Sequence, residues 1–144
     1  MSDPDLRDVF DIKKMLELAG TVGHGKAVGY AYEDHGDDWV AMRLDPHERL
    51  VGVEEKGILA SGAIVSLLDA CGGGAVWNRL GAFRPIATID LRIDYLRPAT
   101  LETPVIARCE CYKLTKSVAF VRGNASLEGG EELANVAGTY IVKP

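Results

Sequence analysis

Residues 57–78, GILASGAIVSLLDACGGGAVWN, decide the fold, because this long apolar run contains a single charged residue, Asp69. Such a run is expected to be buried. Apolar residues at helical spacing predict a helix from Ala60 to about Trp77, with Asp69 off the centre of the apolar stripe. The stripe consists of Ile64, Leu67, Leu68, Cys71 and Ala75. A buried carboxylate is unfavourable unless it is paired, hydrogen-bonded or protonated, so Asp69 is either a structural acid or a candidate for catalysis.

The composition is that of one ordinary globular domain over residues 1–144, with 47% hydrophobic and 26% charged residues. The net charge of −5 and the lack of a Lys/Arg cluster argue against nucleic acid as a partner. The acidic start MSDPDLRDVFD is unlike a signal peptide, and three cysteines without a framework spacing fit a reducing compartment, so we expect a cytoplasmic protein. Five glycines, two serines and Asp69 argue against a membrane span in the apolar run.

Before the apolar run, the sequence predicts one helix and two strands. The helix is expected within residues 1–20, from Asp3 to Ala19, and Gly20 ends it. The two strands are expected at Ala27 to Tyr32 and at Trp39 to Leu44, separated by the turn His35-Gly36-Asp37-Asp38. The polar segment from Asp45 to Lys56 is expected to be a loop.

After the apolar run the period changes from 3.6 to 2, which predicts four consecutive strands over residues 86–142. They are expected at Ile86 to Leu96, Val105 to Leu114, Ser117 to Leu127 and Leu133 to Val142. In the first of them, strict alternation predicts one buried face and one polar face. The buried face is expected to carry Ile89, Leu91, Ile93 and Tyr95, and the polar face Thr88, Asp90, Arg92 and Asp94. Consecutive strands at short spacing imply an antiparallel sheet, and we expect an α+β domain whose sheet is wrapped around the central helix.

Three sequence features have ordinary structural explanations. Gly72-Gly73-Gly74 lacks the spacing of a phosphate-binding loop, so close packing of the helix against its neighbours is the better interpretation. His24, His35 and His47 show no ligand spacing with the cysteines, which predicts no metal site. Cys109 and Cys111 lie on the same face of a strand and are expected to be small buried residues. No cofactor is expected.

Three short motifs, in their order and spacing, resemble a known family. They are Gly57-Ile58-Leu59-Ala60-Ser61-Gly62 followed by Leu68-Asp69, then Tyr95-Leu96-Arg97-Pro98-Ala99, then Lys116-Ser117-Val118-Ala119-Phe120. Over residues 27–142 the chain resembles the hotdog-fold acyl-CoA thioesterases, specifically the phenylacetate-pathway (PaaI-like) branch.

The resemblance implies a fold, an assembly and a reaction. It implies a curved sheet around the long helix, and a homodimer or homotetramer whose active sites lie between subunits. The implied reaction is hydrolysis of an acyl-CoA thioester to CoA and a free acid. Asp69 would be the general base or the nucleophile, the backbone amides of Ser61 and Gly62 would hold the oxyanion, and Thr88 would hold the water.

The chain also departs from the family pattern. Ala60 stands where the family usually has a histidine, and Ser61 replaces a glycine. Glu54 stands where the family often has asparagine and is an alternative base. Arg97 and Lys116 are candidate contacts for the CoA phosphates. Two other functions stay open: a non-catalytic acyl-CoA binding or regulatory module, and a dehydratase acting on hydroxyacyl thioesters.

Overall fold

The computed structural model describes residues 10–144 and contains one long helix, two short helices and eight strands in that range. The helices are α1 (Ile12–Ala19), α2 (Gly23–Val28) and α3 (Ser61–Leu80). The strands are β1 (Tyr30–His35), β2 (Trp39–Leu44), β3 (Val51–Val53), β4 (Ile58–Leu59), β5 (Ile86–Tyr95), β6 (Val105–Leu114), β7 (Val118–Leu127) and β8 (Glu132–Val142).

Six of these strands form one antiparallel sheet in the order β1-β2-β6-β7-β8-β5, with α3 packed against it. β1 and β5 are the edges of the sheet, and β3 pairs with β4 in a separate small hairpin. The core lies between α3 and the inner face of the sheet, and all three cysteines are buried in it as free thiols. The predicted α+β architecture is confirmed, and the arrangement is a hotdog fold.

The three glycines in α3 allow the helix to approach its neighbours closely, as the sequence predicted. A Cβ on Gly72 would collide with the hydroxyl of Tyr140, and one on Gly74 would lie 2.9 Å from Leu16 of α1. Gly81 ends the helix in a left-handed conformation with φ of 65°. No helix within residues 10–144 is both long enough and apolar enough to cross a bilayer.

The predictions for the N-terminal part were partly wrong. Asp11 has an extended backbone and its side chain accepts a hydrogen bond from the amide of Lys14, so α1 begins at Ile12. The predicted helix start at Asp3 lies outside the described residues. The glycine-rich segment after Ala19 forms α2, a helix too short and too rich in glycine to be recognised from periodicity. The first strand therefore begins at Tyr30, after Gly29 at φ of 90°.

Two further predictions need correction. The segment from Asp45 to Lys56 is not simply a loop, because it contains β3 between two short 3₁₀ helices. In β5, Thr88 pairs with Tyr140 and Asp90 pairs with Thr139, so Ile89 is the extra residue of a β-bulge. The bulge reverses the alternation. Ile89 is 57% exposed, and Thr88 points its hydroxyl at α3 rather than lying on the polar face.

Gly72→Ala is expected to lower the free energy of unfolding by about 1–3 kcal/mol, because the added methyl group collides with the Tyr140 hydroxyl. Gly62→Ala is the matched control in the same helix, since a Cβ there has no atom within 4 Å. Urea denaturation followed by circular dichroism measures both. Equal stability of the two variants would contradict the close contact.

Candidate functional site

Asp69 lies on α3 at the edge of a cavity of about 290 Å³ between that helix, α1 and the sheet. The expectation of a fully buried acid was wrong, because Asp69 is half-buried. It belongs to an uncovered side of α3 on which Ser61, Gly62 and Val65 are also exposed. The Asp69 carboxylate therefore borders an apolar cavity and is still accessible from the surface of the chain.

Two hydroxyl groups fix the orientation of the Asp69 carboxylate. The Thr88 hydroxyl donates to Oδ1 at 2.7 Å. The Tyr140 hydroxyl lies 3.2 Å from the same oxygen and 2.9 Å from the backbone carbonyl of Asp69. Within residues 10–144, Oδ2 accepts no hydrogen bond. One oxygen is thus held while the other is free to accept a proton or to attack an electrophile.

The phenols near Asp69 are held in their neutral form. Burial, and then the negative charge of Asp69, raise the pKa of Tyr140 far above its ordinary value. The same two causes, in the same order, raise the pKa of Tyr30, which lines the same cavity. Both side chains therefore remain hydrogen-bond donors beside a carboxylate.

A second polar site lies at the beginning of α3. The amide of Ala60 bonds to the carbonyl of Leu50 at 2.7 Å, and the amide of Ala63 bonds to the carbonyl of Ala60 at 3.1 Å. The amides of Ser61 and Gly62 make no backbone hydrogen bond within the described range, and the side chain of Ala60 provides no cap. Free amides at a helix N-terminus, together with the helix dipole, form an anion-binding site.

The N-terminal amides and Asp69 do not meet within one subunit. Ser61 and Asp69 are eight residues apart on the same helix. At a rise of about 1.5 Å per residue, they are separated by about 12 Å along the helix axis. A single small polar group therefore cannot contact both within one chain.

The other predicted site residues lie apart from Asp69. Glu54 is exposed in a 3₁₀ turn and does not line the Asp69 cavity. Arg97 forms an ion pair with Glu131 and donates through Nε to the carbonyl of Glu132 at 3.0 Å, at the start of β8. Lys116 lies in the turn before β7, where the carbonyl of Ser117 accepts from the amide of Val142 at the end of β8. The two cations are therefore separated by roughly the length of β8, about 33 Å.

The sequence did not predict a role for Tyr140, for Tyr30 or for the pair formed by His24 and Ser66. The Nε2 atom of His24 lies 2.8 Å from the hydroxyl oxygen of Ser66 on α3. Tyr140 reaches Asp69 across 71 positions of sequence, and no local pattern identifies such a contact. His24 lies on α2, a helix that the sequence analysis did not recognise.

Comparison with known proteins gives a consistent family assignment. Residues 56–134 match the family model described as the thioesterase superfamily. A "putative esterase" of Halobacterium salinarum is 36% identical over 75 residues, which is 50% of this chain and 50% of that protein. The chain thus spans about half the length of this curated relative.

Solved structures share the fold. A thioesterase of Haemophilus influenzae superposes with a TM-score of 0.82 at 19% identity, over 93% of this chain and 91% of that chain. A hypothetical thioesterase of Streptococcus pneumoniae, crystallised with coenzyme A, superposes with a TM-score of 0.70 at 18% identity, over 79% and 85% of the two chains. At these identities the likeness concerns the fold alone.

Tyr140→Phe is expected to reduce the loss of stability at alkaline pH. A tyrosine in the unfolded chain releases its proton near pH 10, whereas the raised pKa of Tyr140 keeps the proton on the folded protein. The free energy of unfolding therefore falls as the pH rises above the pKa of tyrosine in the unfolded chain. The decrease is up to about 1.4 kcal/mol per pH unit for this one group. Denaturation between pH 9 and about 11 measures the slope for both proteins. Parallel slopes would contradict the account.

Proposed function

This chain belongs to the thioesterase superfamily, and on that premise we propose that it hydrolyses an acyl-CoA thioester to CoA and a free acid. One observation carries the proposal: Thr88 and Tyr140 hold one oxygen of Asp69 beside an apolar cavity, and no hydrogen bond from the described residues reaches the other oxygen. The three sequence motifs around Ser61, Arg97 and Lys116 favour the phenylacetate-pathway (PaaI-like) branch. The free buried thiols fit a cytoplasmic location.

Asp69 acts as general base or as nucleophile. As a base, Oδ2 takes a proton from water, the water oxygen bonds to the thioester carbon, and the carbon–sulfur bond breaks. As a nucleophile, Oδ2 itself attacks the carbon and forms a mixed anhydride that water then hydrolyses. In both routes the carbonyl oxygen becomes negatively charged. The free amides of Ser61 and Gly62 are suited to stabilise that charge.

The acyl group occupies the cavity beside Asp69. Tyr30, Trp77 and Tyr140 give this cavity aromatic walls, and Gly73 leaves part of the α3 surface without a side chain. Its volume of about 290 Å³ is at the small end of the range for ligand pockets. Compact acyl groups are therefore the expected substrates.

A homodimer completes the site, either alone or within a tetramer. Among residues 10–144, β5 is an unpaired edge, and three of the apolar side chains on or just after it are well exposed: Ile89, Tyr95 and Leu96. In an antiparallel pair of two β5 strands, the start of one strand lies beside the end of the other. Thr88, bonded to Asp69, is near the start, and Tyr95 donates to the carbonyl of Ser61 at 3.1 Å near the end. This pairing brings the partner's Ser61 amide toward Asp69.

The same pairing accounts for the other charged candidates. Lys116 lies near the start of β5 and Arg97 near its end, so the CoA phosphates would contact Lys116 of one subunit and Arg97 of the other. Glu54 precedes the beginning of α3 in the chain. It would lie near the Ser61 and Gly62 amides and is the alternative base. The solved Streptococcus pneumoniae relative holds coenzyme A, which is consistent with CoA as the carrier.

Asp69→Asn is expected to lower kcat for acyl-CoA hydrolysis by about 10²–10⁴-fold, because the amide can neither accept the proton nor attack. The assay follows thioester absorbance with acetyl-, hexanoyl-, benzoyl- and palmitoyl-CoA. Asp37→Asn, an exposed carboxylate in the turn between β1 and β2, is the matched control and should retain wild-type rates.

Two results would count against the proposal. Full turnover by Asp69→Asn would remove Asp69 from the chemistry. Binding of CoA without turnover of any substrate would favour the non-catalytic module, for which the replacement of the family's histidine by Ala60 is the supporting observation.

A further inference from the structure

His24 contacts α3 about one helical turn from Asp69, through Ser66. Asp69, Ala70, Gly73 and Trp77 line the cavity at helical spacing, and Ser66 continues this row one turn toward the helix N-terminus. The Nε2 atom of His24 lies 2.8 Å from the Ser66 hydroxyl oxygen. Residues three apart on a helix have Cβ atoms about 5–6 Å from each other, so the pair lies within reach of a group bound at Asp69.

The backbone around α2 holds His24 in this position. A Cβ on Gly20 or on Gly25 would collide with the backbone carbonyl oxygen of Tyr30 or Ala19, respectively. Gly23 has a positive φ of 52°, which a residue with a side chain rarely adopts. These glycines allow the short helix to fold tightly between α1 and β1. The imidazole itself is exposed and accessible to a substrate.

The proposed reaction ends with a proton on the sulfur that leaves, because an ordinary thiol is protonated at neutral pH. Asp69 takes a proton and cannot donate one at the start of the reaction. The hydroxyls of Thr88 and Tyr140 already bond to Asp69. Ala60 has no polar side chain, whereas His24 and Ser66 form a pair that can donate a proton. An imidazole is the side chain best suited to proton transfer near neutral pH.

We propose that His24, acting through the Ser66 hydroxyl, protonates the leaving sulfur of the thioester; this inference rests on the proposed function. Water bonds to the thioester carbon and loses a proton to Asp69 Oδ2. The electron pair of the broken carbon–sulfur bond goes to sulfur. Sulfur takes the hydroxyl proton of Ser66, which in turn receives the Nε2 proton of His24 in its imidazolium form and leaves a neutral imidazole. Asp69 then returns its proton to solvent and His24 regains one, so the products are an acid and a thiol.

The test compares His24→Ala and Ser66→Ala on two substrates with the same acyl group, an acyl-CoA and a p-nitrophenyl ester. The p-nitrophenolate leaving group departs without protonation. Each variant is expected to lose about 10²-fold in kcat on the acyl-CoA with little change in KM, and to keep the ester rate within about twofold. The double variant should lose no more than either single variant. His35→Ala, an exposed histidine at the end of β1, is the control.

Added imidazole should restore thioester turnover to His24→Ala, which a structural role would not allow. Equal losses on both substrates would overturn the inference in favour of a structural role, and unchanged thioester rates would overturn it outright. Asp69→Asn separates the two proposals, because it should abolish both reactions. A wild-type protein that hydrolyses neither substrate would overturn the proposed function and this inference together.

Discussion

The Tyr140 hydroxyl reaches Asp69 because residue 72 has no side chain, and the rest of the site depends on that contact. A Cβ at this position would occupy the place of the hydroxyl. Gly74 allows a close approach to α1, whose Leu16 forms part of the cavity wall. Each glycine costs about 1 kcal/mol of helix stability relative to alanine. Packing against β8 and α1 offsets that cost, and it brings the carboxylate, the phenol and the cavity together.

The length of α3 imposes a second constraint. Ser61 and Asp69 lie about 12 Å apart along the helix axis, so one carbonyl group cannot contact both within one subunit. The homodimer proposed above would remove this constraint, because it would bring the beginning of one helix to the middle of the other. In that proposal catalysis depends on assembly, and the exposed edge β5 is the surface that joins the two subunits.

The architecture could be predicted from sequence because its signals are local. The apolar run gave the bounds of α3 to within three residues, and the alternating segments gave the strands β5 to β8. Features that depend on contacts between distant parts of the chain could not be predicted. The bulge at Ile89 shifts the parity of β5 by one residue, and strict alternation therefore assigned Thr88 to the wrong face. The contacts of Tyr140, His24 and Ser66 could not be predicted, because they join segments that are distant in the sequence. Asp69 could be chosen from sequence because it is the one charge in an apolar run.

The most direct test mixes two inactive variants. Ser61→Pro removes one free amide at the first position of α3, where proline is favoured, and Ala60 has φ of −59° and ψ of 137°, which suit a residue before proline. Equal amounts of Ser61→Pro and Asp69→Asn chains, co-expressed, should recover about a quarter of wild-type activity. Half of the dimers are then mixed, and one of the two sites in each mixed dimer has both groups intact. Activity no greater than the sum of the separate variants would contradict a site shared between subunits.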